Sequence, residues 1–106
     1  MPKYLVIASY TSEGLQGVMT TGGTARAAAV EDAVKGLGGT LESFHFAFGK
    51  DDAYVIVDLP DDVAAAALAM KVSSSGVVGT RVVVLLTPAE IDQASQRDVA
   101  YEPPVS

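Results

Sequence analysis

A chain of 106 residues is one domain long, and with 49% hydrophobic and 19% charged residues its composition is that of a folded globule, not a disordered segment. The formal net charge of −6 weighs against nucleic acid and anionic membrane surfaces as partners, because both need a basic patch. The lack of cysteine excludes disulfides, zinc–thiolate sites and a thiol nucleophile.

The N-terminal MPKYLVIASY has neither the apolar core nor the cleavage pattern of a signal peptide, and no apolar run approaches the ~20 residues of a membrane span. A cytoplasmic location is expected. KYLVIASY, residues 3–10, is short, apolar and rich in β-branched and aromatic residues, which predicts a strand. TSEGLQGVMTTGG, residues 11–23, holds four glycines and is expected to be a loop. From Thr24 the strong helix formers Ala25 to Ala29 and the spacing of Val30, Ala33, Val34 and Leu37 predict a helix. Lys35 suits its C-terminal dipole, and Gly38 and Gly39 stop it.

TLESFHFAF, residues 40–48, predicts a strand that places Phe44, Phe46 and Phe48 on one face and Ser43, His45 and Ala47 on the other. GKDD, residues 49–52, is turn chemistry, and AYVIVDL is the return strand, ended by Pro60. Asp61 or Asp62 caps a helix through VAAAALAMKVS, with Val63, Ala66, Ala67 and Met70 in one stripe, and SSSG closes it. TRVVVLLT predicts a buried-type strand. In TPAE after it, Thr87, Pro88 and Glu90 occupy the cap, first and third positions of a capping box, which opens a short helix to about Gln96.

The order β-α-β-β-α-β plus a short helix predicts an α+β, ferredoxin-like domain over residues 1–96, with two helices on one face of a four-stranded antiparallel sheet, and an extended tail over 97–106. If Ala53 pairs with Phe48, the phenylalanine face joins Val55, Val57 and Leu59 under the helices. The second face then collects Ser43, His45, Ala47, Tyr54, Ile56 and Asp58, joined by Tyr4, Val6, Ala8 and Tyr10. Such a face is too apolar to be left wholly in water, so sheet-on-sheet homodimerisation, with room for a cavity between sheets, is the expected outcome.

The runs YTSEG at 10–14, RAAAVEDAVKGLGGTLESFHFAFGKDDAYVIVDLPDD at 26–62, AAAALAMKVSSSG at 64–76 and TRVVVLLTPAEID at 80–92 resemble the GYD-domain family over nearly the whole chain to about residue 96. The most specific parts are the paired glycines, the hairpin with its following Pro-Asp-Asp, and the Leu-Thr-Pro-Glu segment. The resemblance implies a dimeric α/β barrel of the ferredoxin-like group and carries no general activity with it. The family's Gly-x-Tyr-Asp signature falls on Gly49, Lys50, Asp51 and Asp52, so Asp51 stands where the family has its tyrosine.

His45 is the first candidate for chemistry, as a general base with Asp58 on the same face and Ser43 expected opposite Asp58. The plainer reading is a histidine packed at an interface. Asp58, an acid among apolar residues, is an acid/base group or polar anchor in one reading and an end-of-strand acid reaching solvent or pairing with Arg81 in the other. Asp51 and Asp52 are too few for calcium and read as turn residues, and no spacing matches a metal or cofactor motif. The 11–23 segment could form a cavity mouth, with Arg26 beside a helix N-terminus fit to hold an anion. Tyr4, Tyr10 and Tyr54 read as interface aromatics, with hydrogen bonding in a cavity second.

Three functions remain in play. The first is a homo-oligomeric barrel that binds a small molecule or another protein. The second is a cofactor-independent isomerase or monooxygenase, with His45, Asp58 and Tyr54 catalytic and Tyr4, Tyr10, Ser43 and Arg26 binding. The third is an assembly subunit joined to further copies through its edges or tail.

Overall fold

A computed structural model describes residues 1–104. In it β1 (Lys3–Tyr10), α1 (Ser12–Thr21), α2 (Gly23–Gly36), β2 (Thr40–Phe46), β3 (Ala53–Asp58), α3 (Asp62–Ser73), β4 (Val78–Leu85) and α4 (Pro88–Ser95) follow in that order. The four strands form one antiparallel sheet in the order β2-β3-β1-β4, so the two strands with mates on both sides are β1 and β3. The tail has no helix or strand from 98 to 104, and the part of the expected extended tail at 105–106 lies outside the described residues.

The segment expected as a loop, 11–23, is largely helical. Thr11 caps α1 by accepting from the Gly14 N–H at 3.2 Å, and Glu13 sits in the first turn, where it complements the helix dipole. Gly14 is required by proximity: a Cβ there would collide with the Val77 carbonyl oxygen. The break comes only at Gly22, whose φ of +92° favours glycine, and α2 starts at once. Gly38 ends the α2 turn with φ +82°, as expected of the first glycine of the pair.

The hairpin of β2 and β3 keeps the expected faces but not the expected register. Ala53 pairs with Phe46, two residues short of Phe48, and a bulge between Leu41 and Ser43 shifts the far end. A slip of two preserves parity, so Phe44 still faces the helices beside Val55. Phe48 lies beyond the strand and is fully exposed, so two of the three phenylalanines remain in the strand.

The parity of β1 is the reverse of the expectation. Tyr4, Val6 and Ala8 lie opposite Val57, Val55 and Ala53, so they and Tyr10 point under the helices. Lys3, Leu5, Ile7 and Ser9 take the open face with Ile56 and Asp58. Both alternations of KYLVIASY are apolar, so periodicity could not choose between them. The lysine decides, because burying its ammonium under helices would be costly while Asp58 and Glu42 await it on the open side.

The core lies between sheet and helices and centres on Tyr4, Val34, Val57 and Leu59, each at most 1% exposed. On α3 the buried residues are Ala65 and Leu68, whereas the anticipated stripe of Val63, Ala66, Ala67 and Met70 faces solvent. Alanine on every side of that helix leaves Leu68, with Val72 partly buried beside it, as its large aliphatic anchors, and they select the face that goes down. Asp61 caps α3 by accepting from the Ala64 N–H at 2.9 Å. The capping box of Thr87 and Glu90 is formed at α4, which buries none of its residues. No described helix is long and apolar enough to cross a membrane.

Candidate functional site

α2 packs chiefly on β2 and α3 on β4, which leaves the two central strands as the floor of a cleft between the helices. Val6 and Ala8 of β1 and Val55 and Val57 of β3 form that floor, with Val30, Phe44, Leu68 and Val72 as apolar walls. The cleft is narrow: only about 30 Å³ of it is open to the centre of a water-sized sphere. Its polar groups are few: Tyr10, Arg26 and Thr80.

Two of these were candidates from the sequence, and the fold brings them together. Tyr10 ends β1, and Arg26 stands in the first turn of α2. The Arg26 Nε–H donates to the Tyr10 hydroxyl at 3.3 Å, and its guanidinium carbon lies 5.8 Å from the centre of the Tyr10 ring, within reach of a cation–π contact. Both residues also line an open outer groove, with about 350 Å³ accessible to a water-sized sphere, together with Glu13, Gly14 and Val77, so they stand where groove and cleft meet. The segment suspected of forming a cavity mouth thus does line this groove, but as helix α1.

The remaining candidates lie elsewhere. Tyr4 is a core residue: its hydroxyl donates to Asp62 Oδ1 at 2.6 Å, and this bond, aided by burial, pushes the phenol up to about 12. Ser43, His45, Tyr54 and Asp58 are on the open face of the sheet, away from the cleft. His45 is opposite Tyr54, while Ser43 is opposite Ile56 and Asp58 opposite Thr40, a consequence of the register shift. Asp58 accepts from Lys3 Nζ at 3.0 Å, and the same ammonium donates to Glu42 at 2.7 Å. The Glu42 bond first, then the Asp58 bond, hold the lysine above its ordinary pKa. Asp58 is therefore turned to Lys3, not to His45 or Arg81.

Arg81 instead serves a residue expected only to make a turn. Asp51, 7% exposed, accepts from the Ser9 hydroxyl at 3.0 Å and Arg81 Nη2 at 2.9 Å, with the Tyr54 hydroxyl at 3.5 Å. The Ser9 bond first, and then Arg81, hold its carboxyl below the usual range against the opposing effect of burial. Asp52 accepts from the Tyr10 N–H at 2.7 Å and donates its own N–H to the Ala8 carbonyl. The two acids fasten the 47–52 loop across the end of β1. A carboxylate held ionised by three donors is a structural anchor and a poor base. Among the described residues, no group of three or more His, Cys, Asp or Glu side chains is placed to hold a metal ion.

Sequence reasoning missed the Asp51 anchor and the apolar walls of the cleft. Its one available signal for Asp51 was the position itself, the third place of the Gly-x-Tyr-Asp pattern. A family model described as the GYD domain matches residues 4–95, a span that holds the cleft, the groove and the Asp51 loop together. Comparison with curated proteins and with solved structures gives no match.

Proposed function

This chain belongs to the GYD-domain family, and from that premise we propose that it is a homodimeric, ferredoxin-like α/β-barrel protein that binds a small, largely apolar molecule between its sheet and its helices. The observation that carries the binding reading is the lining of the cleft: an apolar floor on the central strands with the few polar groups Tyr10, Arg26 and Thr80, the make-up of lining that small-molecule sites have. The strand order β2-β3-β1-β4, with helices over one face, supports the ferredoxin-like assignment.

The homodimer rests on the other face. Leu5, Ile56, Val83 and Leu85 make an apolar band there, flanked by the Lys3–Asp58 and Arg81–Asp51 ion pairs. Apolar area rimmed by satisfied charge is the pattern of an interface. Cytoplasmic residence is part of the proposal, and a chain without cysteine folds independently of thiol redox state there.

The binding reading is tested by screening small apolar compounds against the ¹⁵N-labelled full chain. Shifts confined to the amides of Val6, Ala8, Val30 and Leu68 are expected, and shifts scattered over the open face would reject the cleft. Light scattering at micromolar concentration is expected to give twice the chain mass, which Val83→Glu should halve. A monomeric mass for the parent chain would end the dimer proposal. Catalysis without a cofactor is the second reading, favoured by the pairing of His45 with Tyr54 beside the Asp51 network. If His45→Ala and Asp58→Asn both left a discovered activity intact, that assignment of roles would fail.

A further inference from the structure

The two edges of the sheet differ in how they are protected. β2 is guarded: a bulge between Leu41 and Ser43 interrupts its regular pairing, and Glu42 places a charge there. β4 has no such guard. Its eight residues include no proline and no bulge, and Arg81, its one charge, is already bound to Asp51. The ladder with β1 shows which of its backbone groups are free. The Thr11 N–H donates to the Val77 carbonyl at 3.0 Å directly across that ladder, so the odd-numbered residues of β4 bond to β1 and the even-numbered ones turn N–H and C=O outward. Among the described residues, no hydrogen bond from loop, helix or side chain reaches these groups at Thr80, Val82 and Val84. The side chains leave the edge equally bare. Val82, Val84 and Leu86 are 37%, 55% and 56% exposed, and α4, which follows, buries nothing.

We propose that β4 is a second self-association surface, which pairs antiparallel with β4 of another copy and joins two sheets edge to edge. Antiparallel pairing of a strand with itself is two-fold symmetric, so each outward donor meets an acceptor of the same strand and no foreign sequence is needed. With Val82 on the axis, Thr80 lies opposite Val84 of the second copy and Arg81 opposite its Val83. The outward groups of Thr80, Val82 and Val84 then all find partners, β-branched residues stack across the seam, and no arginine faces its own copy. The same axis keeps the helices of both copies on one side and leaves the open face uncovered for the dimer proposed above. Charge points to this edge as well. A net charge of −6 holds copies apart in general, yet none of the 13 acids lies between Val63 and Ala89. That stretch supplies β4 and all of α3 after its first residue, and α3 packs on β4, so this side of the molecule lacks the charge that repels.

A lone strand pair is a smaller contact than the roughly 1,200 Å² of a stable interface, so it forms at about 0.1–1 mM, above the micromolar range of the face dimer. The full chain is studied by sedimentation and by amide exchange at about 10 µM and about 1 mM. The mass should double between the two, from two chains to four. The amides of Thr80, Val82 and Val84 should slow by about threefold or more at the higher concentration, while those of Arg81, Val83 and Leu85, bonded to β1, should not change. Val82→Pro removes an outward donor without touching the β1 ladder and should abolish both effects. Val84→Lys, a charge of the kind that guards natural edges, should do the same where the proline disturbs the strand. Ile56→Glu alters the open face on β3 and leaves β4 intact, so it should give one chain rising to two. A parent chain that itself starts at one and doubles would end the face dimer and leave the edge pair standing. A constant mass would overturn the proposal. So would a doubling without protection of the even-numbered amides, or one that survives both β4 variants.

Discussion

Gly39→Ala should be among the more damaging single-methyl additions this fold can suffer. A Cβ on Gly39 meets the Asp58 carbonyl oxygen inside van der Waals distance, Leu59 Cδ2 at 2.8 Å and Val34 Cγ1 at 3.2 Å. Leu59 and Val34 are 0% exposed, so neither can swing aside, and the Asp58 carbonyl belongs to the β3 backbone. Overpacking of a tight core costs about 1–3 kcal/mol, and a collision with backbone belongs at the upper end. The lower chain entropy of unfolded alanine offsets about 0.4–1 kcal/mol of this, leaving a net loss of about 2 kcal/mol. For a domain near this size that is a fall in Tm of roughly 8–16 °C. The control is Gly17→Ala in the interior of α1, where a Cβ meets nothing within 4 Å. That change should stabilise by about 0.5–1 kcal/mol, the helix preference of alanine over glycine. Urea unfolding followed by circular dichroism measures both, with m unchanged if only the folded packing is altered. A Gly39→Ala protein as stable as the parent would refute the reasoning, because it would mean that the α2–β2 corner can open without loss.

Three further outcomes follow from the polar groups. Asp51 has a depressed pKa in the fold, so its contribution is fully present above the ordinary carboxylate range and is lost as pH falls through the folded value. Asp51→Asn should therefore lower Tm at pH 7, and the gap from the parent should close below about pH 4; a gap independent of pH would deny the ionic role. The Tyr4 phenol is raised from 10.0 to about 12, so its contribution is complete below pH 10 and disappears as pH rises toward 12. Asp62→Asn should bring one tyrosine back toward the ordinary range in an ultraviolet titration, and an unchanged curve would remove Asp62 as the cause. Thr87→Ala deletes the capping box of α4 and should cost that helix about 1 kcal/mol. Amide exchange should quicken from Ala89 to Ser95 while global Tm stays put, since α4 buries no residue; a matching fall in Tm would show that α4 is integral to the core.

Where one residue dominated a local choice, the fold was legible. The capping box at Thr87, the Asp61 cap, the Gly38 stop and the hairpin strands all rest on short-range chemistry, and all appear. The errors share another cause. In α1 the glycines were taken as breakers, yet Gly14 is there for close approach to Val77, a contact 63 positions away in sequence that no local pattern reveals. In β1 both faces are apolar, and in α3 alanine surrounds the axis, so neither period 2 nor period 3.6 carries a direction. Each was decided by side chains finding tertiary partners: Lys3 its acids, and Leu68 with Val72 the core.

The same distinction explains the site. Tyr10 and Arg26 could be nominated one at a time, but their meeting depends on α1 being a helix that carries the chain back from the end of β1 to the start of α2. Had 11–23 been the expected loop, nothing would fix that return. The Asp51–Asp52 pair shows the converse. Two acids on a hairpin look local, and Asp-rich turns ordinarily bond their own backbone, yet these reach Ser9, Tyr10 and Arg81. Asp51 stands at the family's tyrosine position, and its carboxylate draws in Arg81 while the Tyr54 hydroxyl comes to 3.5 Å. That places a satisfied ion pair at the end of the open face and uses the one arginine there.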